Sequence, residues 1–264
     1  MFQLKYFPES NPDRMQSKDT VFCEINDSIG IITLHDPPGN VLAIPEFIHP
    51  GILSRFISEN DIKGLIIKGY GKNFSAGGNL DAIFDASQDP NHLASMMDEG
   101  LKLLNLIQDL DIPVIAAINR VCFGGGLEIA LACHIRVASD NALLAFPEVN
   151  QNLMPGMGGT FRLPFQAGLA GSMQMILGGD TLNAGAAKEL GIVDFIAPKD
   201  QAFEFALNLM QKMTHDRPLK VIRSIMAALK NASACTPEEA MKAETKLFCS
   251  LATDEAERRK KEEA

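Results

Sequence analysis

Residues 113–135 read P-V-I-A-A-I-N-R-V-C-F-G-G-G-L-E-I-A-L-A-C-H-I, and a second carboxylate follows in Phe146-Pro147-Glu148-Val149, twenty residues after Glu128. A β-branched, apolar run enters a triple glycine, and the glycines open an apolar helix that carries one acid. Gly124-Gly125-Gly126 at a helix N-terminus leaves backbone N–H groups where an anion or a developing oxyanion can sit. Glu128 in the first turn suits the helix dipole, yet its neighbours are all apolar, and burial raises the proton affinity of a carboxylate. Two carboxylates, an anion cradle and an apolar wall together describe an acid–base site for acyl chemistry. Plainer readings stand beside this one. The glycines can serve turn geometry alone, Glu128 can be a helix-end acid satisfied by backbone donors, and Glu148 can cap the next element.

Other motifs fail on inspection. A dinucleotide frame G-x-G-x-x-G needs a small residue where Ile129 stands. Ser75 in N-F-S-A-G lacks the first glycine of a nucleophile elbow, and no G-x-x-x-x-G-K-[ST] occurs. The five histidines are scattered without metal-ligand spacing. The methionines, twelve in all, read as core fillers or as a soft lining for an acyl pocket.

The 264 residues suffice for one large domain, and 46% hydrophobic with 22% charged residues is the composition of a water-soluble globular protein. A net charge of −9 argues against a general nucleic-acid or anionic-membrane surface. The five cysteines show no C-x-x-C. Cys23, Cys122, Cys133 and Cys249 sit in apolar runs and Cys235 at a helix start, so all are expected as reduced, inert thiols. The first residues show neither a signal-peptide core nor an Arg-rich presequence, and no apolar run approaches the roughly 20 residues of a membrane span. A reducing, cytoplasmic setting is expected.

Along the chain, a polar, loose lead-in is expected over residues 1–18, then a hairpin of residues 21–26 and 30–34 about Asp27-Ser28. A loop over residues 35–40, a helix near residues 50–60, a buried strand at residues 64–69 and a tight turn at residues 74–79 follow. A helix is predicted over residues 92–110 and a strand over 113–119. Past the glycine turn and its helix come short strands at residues 135–138 and 143–146. Strand, turn, helix and strand in that order make crossover-linked α/β units. Residues 154–160 form a second glycine-rich turn entering a helix, and the chain beyond residue 170 reads as mostly helical. Thr236-Pro237-Glu238-Glu239 is a capping box with Pro at N1, and the charge-alternating residues 255–264 read as a solvated, fraying helix end.

Four segments then resemble the crotonase (enoyl-CoA hydratase/isomerase) superfamily: K-N-F-S-A-G-G-N-L from Lys72, the quoted stretch from Ile112 to Ser139, F-P-E-V-N-Q-N-L-M-P-G-M-G-G-T-F-R-L-P from Phe146, and G-G-D-T-L-N-A-G-A-A-K-E-L-G-I-V-D from Gly178. The resemblance implies an α/β fold, a spiral of repeated ββα units over residues 1–200, with a C-terminal helical extension over residues 201–264. It implies an acyl-CoA thioester as substrate, no cofactor beyond the coenzyme A of that substrate, no metal, no nucleic acid or membrane partner, and assembly as a homotrimer or a pair of trimers.

The shared chemistry of that family is an enolate held between two backbone N–H groups, which the matching positions give as Ala76 and Gly125. Substrate contacts are carried over to Ala76, Gly77, Gly78, Asn79 and Gly125. The paired acids imply hydration of a trans-2-enoyl thioester, with Glu128 activating water and Glu148 delivering a proton to the α-carbon. Other members isomerise, decarboxylate or hydrolyse thioesters, and a non-catalytic assembly or RNA-binding member is the remaining alternative. Four departures stand out: Gly78-Asn79 for Ala-Asp, Arg120 and Asn152 for glycines, and a C-terminal tail without the usual ending, which puts the usual lid and its basic CoA contacts in question.

Overall fold

The computed structural model describes residues 3–4 and 21–262. The expected lead-in over residues 1–18 therefore lies outside the described residues, except that Gln3–Leu4 (β1) pairs antiparallel with Val21–Asn26 (β2). β2 turns about Asp27, whose φ is 55°, into Ile29–Leu34 (β3), the hairpin that the sequence predicts. Gly64–Gly69 (β4), Val114–Ile118 (β5), Ile135–Ser139 (β7) and Phe195–Ala197 (β10) then add in parallel, giving the order β1-β2-β3-β4-β5-β7-β10.

β4 and β5 read as near-continuous apolar runs because both faces of the sheet are covered, while β7 carries Arg136, paired with Asp194. In β5, Val114, Ala116 and Ile118 face the larger core with Leu65 and Ile67, while Ile115 and Ala117 face Ile29, Ile66 and Val137 on the other side. Ala202, Ala206 and Met210 of Ala202–Thr214 (α7) close that second face. The larger core is covered by Pro50–Ser58 (α1), Pro90–Gln108 (α3) and Gly125–Ala132 (α4). The short helix Leu80–Ala86 (α2) precedes α3. All eight residues of α4 are buried.

Val121–Phe123 (β6), Leu143–Ala145 (β8) and Leu182–Asn183 (β9) form a second, three-stranded sheet. β6 was missed in the sequence because three residues between a strand and a glycine turn carry no period to read. Past residue 150 come Gly159–Gly178 (α5), broken at Gly168, then Ala184–Glu189 (α6), α7, Leu219–Ala234 (α8) and Pro237–Glu262 (α9), interrupted by β9 and β10. Glu239 accepts from the backbone N and Oγ1 of Thr236 at 3.0 and 2.7 Å, so the predicted capping box starts α9. That helix packs on α8 and buries none of its described residues. Cys249, read as lying in an apolar run, is consequently exposed, as is Cys235; Cys23, Cys122 and Cys133 are buried. Among the described residues no helix is long and apolar enough to cross a membrane.

One buried amide fixes the long loop that leaves β4. Asn40, 1% exposed, donates from Nδ2 to Tyr70 O, Asn73 O and Phe74 O at 2.9, 2.8 and 3.3 Å, while its Oδ1 accepts from Asp36 N at 3.2 Å. Ser75 Oγ donates to Asn40 O at 2.8 Å. Removing the amide strands several buried carbonyls, each worth about 1–3 kcal/mol when left unmet. We expect Asn40→Ala to lower the unfolding free energy by about 2–4 kcal/mol in urea titration; a loss under about 0.5 kcal/mol would show that water replaces the amide.

Candidate active site

Two turns meet, one beyond the end of β4 and one at the end of β6. Residues 74–79 are stitched to β6 by Ser75 N donating to Val121 O and Phe123 N donating to Ser75 O, both at 3.0 Å. A methyl placed on Gly125 would come within 3.6 Å of the Gly78 nitrogen, so the two turns touch. Together with α3 and the 3-10 turn Pro147–Gln151 they enclose a cavity of about 470 Å³. Glu128, Glu148, Ala76, Gly77, Gly78, Asn79 and Gly125 all line it, so every residue singled out from the sequence arrives in one place. The rest of the wall is apolar, with Leu42, Pro45, Ile83, Leu93, Met96, Met97 and Met157 prominent.

Glu148 is held at the N-terminal end of its 3-10 turn. Its Oε2 is buried with no partner among the described residues, and a Cβ on Gly124 would sit 2.8 Å from its Oε1, so only glycine at that φ of 50° leaves room. Burial, with the nearby Glu128 charge adding to it, pushes its pKa from the ordinary 4.5 up to about 7.

Glu128 is 2% exposed and differently equipped. Its Oε1 accepts from Met157 N at 2.7 Å and Gly159 N at 2.8 Å. Burial raises its pKa, and these N–H groups, that of Gly156 and the Arg162 charge pull the other way. The donors come from the second glycine-rich turn, which the sequence reading took only as a helix start. It had the same signature as the first, glycines opening a helix, and that signature could have marked its N–H groups as anion donors.

One expectation is corrected. The Ala76 N–H donates to Gly39 O at 2.8 Å and is not free to meet an oxyanion. In the extended segment after it, Leu42 N donates to Gly77 O and Asn79 N to Leu42 O, at 2.9 and 3.0 Å. Gly78, between them, directs its own N–H away from Leu42, and that N–H has no acceptor among the described residues. Gly125 is the first residue of α4, where no intrahelical acceptor exists and no side chain caps. Gly78 and Gly125 are therefore two cavity-lining residues whose backbone N–H groups have no acceptor among the described residues.

The family model "Enoyl-CoA hydratase/isomerase" matches residues 24–263. The chain belongs to that family. It is 32% identical over 228 residues to a probable enoyl-CoA hydratase of Bacillus subtilis, covering 85% of this chain and 87% of that protein. It is 35% identical over 215 residues to the fatty acid oxidation complex subunit alpha of Idiomarina loihiensis, covering 78% of this chain but only 30% of that longer protein. The solved enoyl-CoA hydratase of Thermoplasma volcanium superposes with a TM-score of 0.78 at 30% identity, over 91% of this chain and 95% of the other. The fold is thus the crotonase fold with a C-terminal helical region.

Each departure from the family pattern has its own local partner. Arg120 and Asn152, where glycines are usual, both hold left-handed φ values, 49° and 56°. Arg120 is secured by a two-bond pair with Asp200 (3.0 and 3.2 Å), and Asn152 donates its N–H to Val149 O at 3.1 Å. Asn79 caps α2, its Oδ1 accepting from Ala82 N at 3.1 Å.

The raised pKa of Glu148 has a thermodynamic consequence. Below about pH 4.5 both folded and unfolded chains hold the proton; above it the unfolded chain releases the proton and the folded one keeps it until about pH 7. Stability therefore falls as pH rises through that window. At about 1.4 kcal/mol per unit, discounted for partial exposure, the loss is roughly 1–2 kcal/mol. Urea titrations from acid to neutral pH should show a flatter profile for Glu148→Gln and higher stability than wild type above neutrality; parallel profiles would assign the dependence to another group.

Proposed function

We propose that the protein is an enoyl-CoA hydratase. The carrying observation is the pair Glu128 and Glu148 facing one apolar cavity beside two unpartnered backbone N–H groups, Gly78 and Gly125. The thioester carbonyl oxygen would sit between those N–H groups, which stabilise it as it becomes an enolate oxyanion; losing one such donor typically costs about 10²–10³ in rate. Glu128, ionised, takes a proton from water, whose oxygen bonds to the β-carbon as the α,β double bond moves its electrons toward the carbonyl. Glu148, protonated, then gives its proton to the α-carbon. One water is consumed, and the proton lost by Glu148 is made good from the one gained by Glu128. A group titrating near 7 suits the acid, since proton transfer is fastest when the catalytic pKa lies near the working pH.

Loss of the conjugated-enoyl ultraviolet absorbance of crotonyl-CoA tests the reading. Glu148→Gln and Glu128→Gln should each lower kcat by about 10²–10⁴ with KM within about threefold. In the wild type kcat/KM should decline as pH rises through about 7, because Glu148 then arrives without its proton. Full activity in either variant, or a panel of acyl-CoAs converted to isomerised, decarboxylated or hydrolysed products, would overturn hydration.

We further propose that the acting species is a homotrimer or a pair of trimers. Phe161 and Phe165 before the break at Gly168, and Leu169, Met173 and Leu177 after it, all stand exposed, five large apolar side chains of α5 that a neighbouring copy would cover. Light scattering should give three or six times 28.7 kDa, and Phe165→Glu with Leu169→Glu should reduce it to the monomer. A wild-type monomer would overturn this.

A further inference from the structure

Arg162, in the first turn of α5, is 5% exposed, and its guanidinium is engaged by neutral acceptors. Nη1 donates to Met157 O at 2.8 Å, Nε to Gln108 Oε1 at 2.7 Å and Nη2 to Asn105 Oδ1 at 2.6 Å. Among the described residues no carboxylate oxygen lies within ion-pair distance of it. A buried cation without a direct counter-ion is costly, so the negative charge that offsets it matters. Met157 is gripped from both sides: its N–H donates to Glu128 and its carbonyl accepts from Arg162.

The other charges nearby are already engaged. Arg136 pairs with Asp194 at 2.7 Å, and Asp109 lies 3.7 Å from Lys230 at the exposed end of α3. Burial pushes the Cys133 thiol up to about 12, so it stays neutral. His134 accepts from Val114 N on Nδ1, which places its proton on Nε2, toward Gln108 O, and leaves the ring uncharged. Of the acids within reach, Glu148 carries no bond that would favour its charge on Oε2, and Glu128 does.

We propose that Arg162 is a positioning residue for the acid–base pair: acting through the Met157 backbone and across it by charge, it holds Glu128 as the carboxylate and leaves the pair's shared proton on Glu148. Two acids sharing one cavity titrate as a unit, and a cation on one side decides which member ionises first. The asparagine and glutamine of α3 serve this role because neutral acceptors orient the guanidinium without cancelling its charge. The proposal rests on the reading of Glu128 and Glu148 as an acid–base pair.

The test reads protonation directly and needs no turnover. Infrared difference spectra of ¹³C-Glu-labelled protein follow the protonated carboxyl band with pH, and the bands are assigned by their loss in Glu128→Gln and Glu148→Gln. In Arg162→Gln the Glu128 titration should move upward by roughly one unit or more, with kcat lower by about tenfold or more and KM nearly unchanged. Arg162→Lys should restore part of both. Should Arg162→Gln fail to fold, Gln108→Glu, isosteric with the wild type, gives the guanidinium its own carboxylate and should move Glu128 the same way. An unmoved Glu128 titration in a folded variant of either kind overturns the proposal. If the titration moves as expected while crotonyl-CoA is left untouched, the hydratase reading fails and the role of Arg162 in placing the proton stands.

Discussion

Burying a carboxylate among hydrocarbon requires that its hydrogen bonds be supplied, and Glu128 cannot draw them from its own helix. Every residue of α4 is buried, and an unmet charge there would cost several kcal/mol. The donors come from Met157 and Gly159, about thirty residues downstream. Two bonds to one oxygen therefore fix the second glycine-rich turn against α4. Gly158, at a φ of 95°, lets the N–H groups on either side of it converge on that oxygen. The floor of the cavity follows from this one requirement.

The opposite wall is positioned by a polar hub with no charge at all. Asn40 ties the loop after β4 by three carbonyls, Ser75 ties back to Asn40, and the segment that follows crosses Leu42 in strand-like register. The alternation of backbone direction in that segment decides which N–H group faces the cavity. Asn79 donates to Leu42 O, while Gly78, one residue before it in the bridge, directs its N–H to the other side; Ala76 donates to Gly39 O ahead of Gly77, whose φ of 101° interrupts the alternation. The bonds between Ser75 and β6, which leads into the glycine triplet, then bring Gly78 beside Gly125.

Much of this was legible from residue order. The parallel strands β4, β5 and β7 were readable, though β10 was lost in a stretch read as mostly helical; the capping box marked α9, and the glycine triplet marked the start of α4. The acids Glu128 and Glu148 stood out because each was set in an apolar context. What escaped is what depends on distant partners. Asn40 reads as one more loop asparagine, since nothing local says that three carbonyls from residues 70–74 will close on it. The choice of Gly78 over Ala76 turns on a two-residue bridge to Leu42, invisible without the fold. β6 is too short for any period, and Cys249 sits in an apolar run on α9, a helix that buries none of its described residues.

The departures from the family pattern illustrate where the site is encoded. The donors to Glu128, and those at Gly78 and Gly125, are backbone groups, so side-chain changes nearby leave them in place provided the φ angles survive. Arg120 and Asn152 keep the left-handed values that glycine would have taken, and Asn79 keeps the helix cap. Holding Arg120 there costs about 1 kcal/mol or more relative to glycine, and its two-bond pair with Asp200 partly offsets that cost. Side-chain identity is decisive only where charge is at issue. Glu148 next to Gly124 has room for its carboxyl and no donor for Oε2, whereas Glu128 has two donors and a cation behind them. Two chemically identical acids in one cavity thus meet different surroundings: burial pushes both up, but only Glu128 has two backbone donors and a nearby arginine to oppose it, and under the proposed reaction that difference separates base from acid.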